Sequence, residues 1–237
     1  NDNHFLNRQY TVYGRVIEGI GLITVMLTSP ALVAQHTSTA KRGVLMGLWS
    51  GFMPLGNALA LFGAPLILIQ YSWPSIWGVG AVLMVIALVL AIYIIPPDRI
   101  KPSHQFDWAA IANTVKRINF VYLGLLFACH SLVYQAILQF MPSFAKDIFG
   151  VPIFWSSLVT VVLCLLSFGG NIVAGRLLMK GWPAQRSVVR AGTSLGIFML
   201  VMSLTAGMPW VFGTVLCVFP LITGMVPTVC FYVLWLG

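Results

Sequence analysis

The chain has 237 residues, of which 59% are hydrophobic and only 8% charged, against about 25% charged in an ordinary soluble domain. So little charge cannot cover a water-exposed surface, and an ordinary soluble domain is excluded. The net charge of +8, from 13 Lys and Arg against 5 acids, would raise the question of nucleic acid in a soluble protein, but here it reads as membrane topology with no nucleic-acid partner.

Uncharged runs extend from Gly19 to Ala40, Gly43 to Pro97, Ile118 to Ala145, Ile148 to Gly175 and Ala191 to Gly237. Each reaches or exceeds the ~20 residues that span a bilayer as a helix. The second and fifth are long enough for two spans, so about seven transmembrane helices are predicted and the fold class is all-α. A barrel is not expected, because no ten-residue alternation appears and unpaired backbone groups are too costly in lipid.

The chain opens on polar residues, Asn1-Asp2-Asn3-His4, with no Met and no cleavable signal peptide, so it looks like a piece of a longer protein. In the first helix Arg15 and Glu18 stand three apart and share a face. Glu18 is the only acid inside any predicted span. Ionisable groups there are expensive and usually face a bundle interior or a water-filled path. The pair is therefore a candidate for substrate binding or proton coupling; the alternative is a structural pair with Arg15 snorkelling to headgroups.

The second helix carries Gly43, Gly47 and Gly51, then Gly56, Ala60 and Ala64, at four-residue spacing. This is a smooth stripe on which another helix can approach closely. The run should break at Gln70-Tyr71-Ser72-Trp73-Pro74 before the third helix. Pro96 to Arg117 is the one long connection, with Asp107 as a candidate N-cap before Trp108. It separates three helices from four.

The fourth helix contains His130, Ser131, Tyr134, Gln135 and Gln139, of which Ser131, Gln135 and Gln139 recur at four-residue intervals. Such a face suits a solute-lined cavity, although hydrogen bonds between helices would also explain it. Asn57 in the second helix and Asn171 in the fifth sit near glycines and are expected to make structural hydrogen bonds. The last run should break at Gly207-Met208-Pro209-Trp210, and Thr223, Thr228 and Tyr232 are weaker polar candidates beyond it. Pro30, Pro54, Pro65, Pro220 and Pro227 interrupt spans, as kinks or as places where freed carbonyls line a cavity. Cys129, Cys164, Cys217 and Cys230 all fall in spans without CxxC spacing, so they read as packing residues, and neither a metal site nor a cofactor is expected.

Lys41, Arg42, Arg99, Lys101, Lys116, Arg117, Arg176, Lys180, Arg186 and Arg190 all fall at the same side of the predicted spans. The opposite connections carry Arg8, Arg15 and Lys146. The positive-inside rule then places the N-terminus outside and the C-terminus in the cytoplasm.

The segment Arg15-Val16-Ile17-Glu18-Gly19-Ile20-Gly21 resembles the Arg-x-x-Gln/Glu-Gly-x-Gly signature in the fourth helix of the major facilitator superfamily. Lys41-Arg42-Gly43, with Gly47 and Gly56, resembles the start and body of that family's fifth helix. Gly170-Asn171 through Arg176 to Lys180-Gly181 is similar to its eighth helix and following basic loop. The resemblance covers nearly the whole chain and implies helices four to ten of twelve. Residues 1–95 would be the last three helices of the N-terminal bundle, 96–118 the cytoplasmic central loop and 119–237 the first four helices of the C-terminal bundle. It further implies a secondary transporter in a plasma membrane, the inner one of a bacterium, that moves a small solute by alternating access with a proton or ion gradient. Arg15, Glu18 and the fourth helix's polar face would line the solute path.

Two departures stand out: Met179 precedes Lys180 where many members carry Asp, and Ala60-Leu61 replaces the Gly-Pro of the antiporter signature. The latter weakens a drug/proton antiport reading. Gln139-Phe140-Met141-Pro142, with the Lys180-Gly181-Trp182-Pro183 passage, loosely resembles cyanate-permease-type members, which implies a small organic anion. A heptahelical receptor is the alternative from another class, but the last helix has no retinal-binding Lys and no Asn-Pro-x-x-Tyr. An embedded enzyme would need His-Glu-x-x-His or two intramembrane acids, and Glu18 stands alone.

Overall fold

The computed structural model describes residues 2–95, 108–150, 152–205 and 207–234. These form nine α-helices in chain order. They are α1 (Asp2–His36), α2 (Thr39–Ser50), α3 (Phe52–Gln70), α4 (Pro74–Ile94), α5 (Trp108–Val115), α6 (Ile118–Phe149), α7 (Ile153–Met179), α8 (Ala184–Leu204) and α9 (Pro209–Leu234). Seven spans are long and apolar enough to cross a membrane, α2 and α3 together making one of them and α5 none.

The helix ends follow local chemistry. α3 stops at Gln70 and α4 begins with Pro74 at its first position, where a missing N–H costs nothing. The division between α2 and α3 falls at Gly51, three residues before Pro54, one of the prolines expected to interrupt a span. Pro54 lacks the N–H that would bond the Ser50 carbonyl, and its ring crowds that carbonyl. At the basic end α7 closes with Gly181 at φ +85°, where Gly181 N–H donates to the Leu178 carbonyl and Trp182 N–H to that of Leu177. This is a Schellman arrangement, and it folds Trp182 back onto the end of α7. Arg42 Nη2 donates to the Ala34 carbonyl over 3.2 Å and so caps the end of α1. The candidate N-cap Asp107 lies outside the described residues.

The core sits around α7 and α9, the most extensively paired helices. Gly170 of α7 lies against the Leu221 carbonyl and Gly224 of α9 against that of Ser167, so two backbones meet with no side chain between them. Between α6, α7, α8 and α9 the buried side chains Met141, Leu163, Leu195, Met202, Leu216 and Phe219 fill the space. The α2–α3 span packs more on α7 than on α1 or α4, because Gly43, Gly47 and Gly51 face that way, whereas Gly56 and Ala60, further along the predicted stripe, are exposed. A Cβ on Gly43 would stand 2.8 Å from the Gly175 carbonyl oxygen, and one on Gly47 2.6 Å from that of Asn171. Gly51 faces the Phe168 ring. The prolines at 30, 65, 142, 220 and 227 remain inside continuous helices. α4 has no buried residue and α1 buries only Pro30 among its described side chains, so these two flank the assembly.

Candidate functional site

Arg15 and Glu18 share a face of α1 because three residues make most of a turn. Arg15 Nη1 lies 2.8 Å from Glu18 Oε2. The guanidinium carbon also stands 4.8 Å from the ring centroid of Trp77, a cation–π distance. Trp77 is on the first turn of α4, so the pair bridges two spans that are apart in sequence. An open cavity of about 950 Å³ lies there between α1 and α4, and Trp73, Ile76, Gly80 and Met84 line its α4 side. Both side chains are 58% exposed, so the ion pair is reachable from the cavity rather than sealed in protein.

On α6 the polar residues separate into two faces. His130 and Tyr134 are buried and stack with ring centroids 5.9 Å apart, and the Phe127 ring lies tilted against His130 at 6.1 Å between centroids. Tyr134 lies beside Asn57 of α3 and Cys164 and Ser167 of α7. Nδ1 of His130, the Tyr134 hydroxyl and Nδ2 of Asn57 are buried here without a well-formed hydrogen bond, as are the hydroxyls of Ser50 in α2 and Thr223 in α9. Ser131 is half-buried, and Gln135 and Gln139 are exposed, on a face rotated by about 100° from the first. None of these α6 residues lines the cavity at Arg15 and Glu18.

Asn171 is buried in α7 and ties that helix to α9. Its Nδ2 donates to the Ser167 carbonyl over 3.0 Å, and it accepts from Thr228 Oγ1 on Oδ1 over 2.9 Å. Gly19, Gly21 and Gly56 have no described neighbour where a Cβ would stand, whereas Gly47 does. Arg176 and Lys180 are exposed at the end of α7. Cys164 and Cys230 are buried, Cys129 and Cys217 exposed, and all four are free thiols. No grouping of His, Cys, Asp and Glu suited to a metal occurs among the described residues.

Sequence reading missed Trp77 as the partner of Arg15 and the polar junction at Tyr134. An interfacial Trp just after a predicted helix break was the available signal for the first. For the second, His130, Tyr134, Asn57 and Thr223 were each named from the sequence, but no local signal brings residues of different helices together.

Residues 7–235 match the model of the Major Facilitator Superfamily. Among curated proteins, an uncharacterized MFS-type transporter of Mycobacterium tuberculosis is 24% identical over 48% of this chain and 20% of its own length. A myo-inositol transporter 3B of Cryptococcus neoformans var. grubii is 30% identical over 38% of this chain and 20% of its own length. The matched stretch is thus about a fifth of either relative. No solved structure matches the chain.

Proposed function

Because the chain belongs to the Major Facilitator Superfamily, a family of transporters rather than enzymes, we propose that it is the middle of a secondary transporter. That transporter moves a small solute by alternating access, with a proton or ion gradient as its energy source. Two helical groups, residues 1–95 and 119–237, rock about a midplane site, joined by the loop at 96–118. The N-terminus of the chain is outside, and the C-terminus and basic end face the cytoplasm of a bacterial inner membrane.

The observation that supports a coupling site is the Arg15–Glu18 pair beside Trp77, open to a cavity within the span Val12–His36. A lipid-facing charge costs up to about 2.5–3.5 kcal/mol at the centre of a span and less towards its ends, and pairing with access to water lowers that penalty for Arg15 and Glu18 in the first turns of theirs. Protonation of Glu18 would leave Arg15, already over Trp77, free to pair with an anionic solute, which links proton occupancy to binding. Ser131, Gln135 and Gln139 offer hydrogen bonds along one face of α6. His130 and Tyr134 carry polar atoms without well-formed bonds at the α3–α6–α7 junction, where a separation of the two groups would wet them.

A small organic anion is the preferred substrate class, on the cation at Arg15 and the loose resemblance of Gln139-Phe140-Met141-Pro142 to cyanate-permease-type members. The test is uptake by cells expressing the full-length protein across small organic anions, a polyol such as myo-inositol, and cationic drugs. Uptake of an anion under an imposed proton gradient is expected. Drug extrusion with no anion uptake would replace the reading with drug/proton antiport.

A further inference from the structure

At the basic end of the bundle α7, α8 and α9 enclose a slot of about 110 Å³. Its wall includes Ala174 and Leu178 of α7, Ala191 of α8 and Met225 and Val229 of α9. The two serines on it are spent on backbone, Ser187 Oγ donating to the Pro183 carbonyl and Ser194 Oγ to that of Arg190. The slot therefore presents hydrocarbon. A dry cavity of comparable size lined by aliphatic side chains takes a small hydrocarbon such as benzene, so this one has room for several methylene groups.

The mouth has the opposite character. Arg190 and Trp182 line it, with the guanidinium carbon 5.5 Å from the indole centroid. The Schellman closure of α7 fixes Trp182 there. Arg190 makes no ion pair among the described residues, and Arg176, Lys180 and Arg186 lie at the same end of α7 and α8. Six residues into α8, Arg190 sits about 9 Å along the helix, a depth from which its side chain reaches the headgroup layer. A cation without an ion-pair partner among the described residues, an interfacial indole and an apolar slot beneath them match a phosphate above an acyl chain, and basic pockets between membrane helices are known to take anionic headgroups.

We propose that this slot binds an anionic phospholipid, with the phosphate on Arg190 and part of one acyl chain among Ala174, Leu178, Ala191 and Val229. None of the residues lining this slot lines the cavity at Arg15 and Glu18.

The test uses the full-length protein reconstituted with dibrominated phosphatidylglycerol or dibrominated phosphatidylcholine at equal mole fraction. The Trp182 fluorescence is isolated by subtracting the signal of W182F in each background. Phosphatidylglycerol should quench Trp182 about fivefold more effectively than phosphatidylcholine, the preference one basic residue confers. R190Q should remove that preference and R190K retain most of it. A191L, which fills the slot, should reduce quenching by both lipids. If A191L does not fold, S194L at the rim supplies the same arm. Equal quenching by the two lipids, an unchanged preference in R190Q, or displacement of the brominated phosphatidylglycerol by millimolar inorganic phosphate would overturn the proposal.

Discussion

Replacing Gly47 with Ala tests whether the α2–α7 crossing is held by direct backbone contact. The added Cβ would stand 2.6 Å from the Asn171 carbonyl oxygen and 3.4 Å from the Gly175 Cα. Both are backbone atoms of a helix that is itself clamped to α9 through Gly170 and Gly224, so neither can turn aside as a side chain would. α2 must back away, by ~0.8 Å to restore ordinary carbon–oxygen contact, and the Gly43–Gly175 approach one turn along opens with it. Overpacking of this kind costs about 1–3 kcal/mol. The change also gains about 0.5–1 kcal/mol because Ala is the better helix former. Gly56→Ala shares that gain, and no described atom lies within 4 Å of its new Cβ. The difference between the two variants therefore isolates the clash. At about 2–4 °C per kcal/mol for a chain of this size, Gly47→Ala should melt roughly 2–12 °C below Gly56→Ala in detergent, followed by fluorescence-detected size exclusion after heating. Equal melting of the two variants would refute close backbone packing at this crossing.

Thr228→Val keeps the shape and removes the bond to Asn171 Oδ1; it should lower stability by about 0.6–1.7 kcal/mol, the range of hydrogen bonds between membrane helices, measured by the same melt. Tyr134→Phe deletes a buried hydroxyl without a well-formed bond, so stability should hold or rise slightly. A loss of uptake in that variant at undiminished stability would assign the hydroxyl to solute. Trp77→Leu removes the cation–π contact with Arg15, worth about 0.5–1 kcal/mol at an exposed site. It should change the apparent affinity for the gradient-driven solute by a few-fold without lowering the amount of protein in the membrane, as read by uptake kinetics normalised to surface labelling.

The spans and their breaks were legible because hydropathy is a property of each segment alone. The turn at Tyr71–Trp73 and the start of α9 at Pro209 need only local punctuation. The split at Gly51 is locally encoded too, through Pro54, which the sequence marks as an interruption of its span. The stripe itself announced close packing without naming its partner: that Gly47 meets Asn171 depends on how α2 crosses α7, which no local pattern contains. The pair Arg15 and Glu18 was legible from rarity, since charge within a span is expensive. Its third member, Trp77, was hidden by sequence distance. On α6 the four-residue polar stripe drew attention to Ser131, Gln135 and Gln139, while packing buried the adjacent stripe of His130 and Tyr134. Periodicity identifies a face, but only neighbours decide what that face meets.

Transport by the Glu18→Gln variant of the full-length protein in proteoliposomes, with an imposed proton gradient, tests the coupling role most directly. The substitution keeps the shape beside Arg15 and removes the charge. Gradient-driven uptake should fall at least tenfold while insertion and exchange without a gradient persist. Unchanged gradient-driven uptake, with unchanged pH dependence, would contradict a coupling role and leave Arg15 and Glu18 as a structural pair.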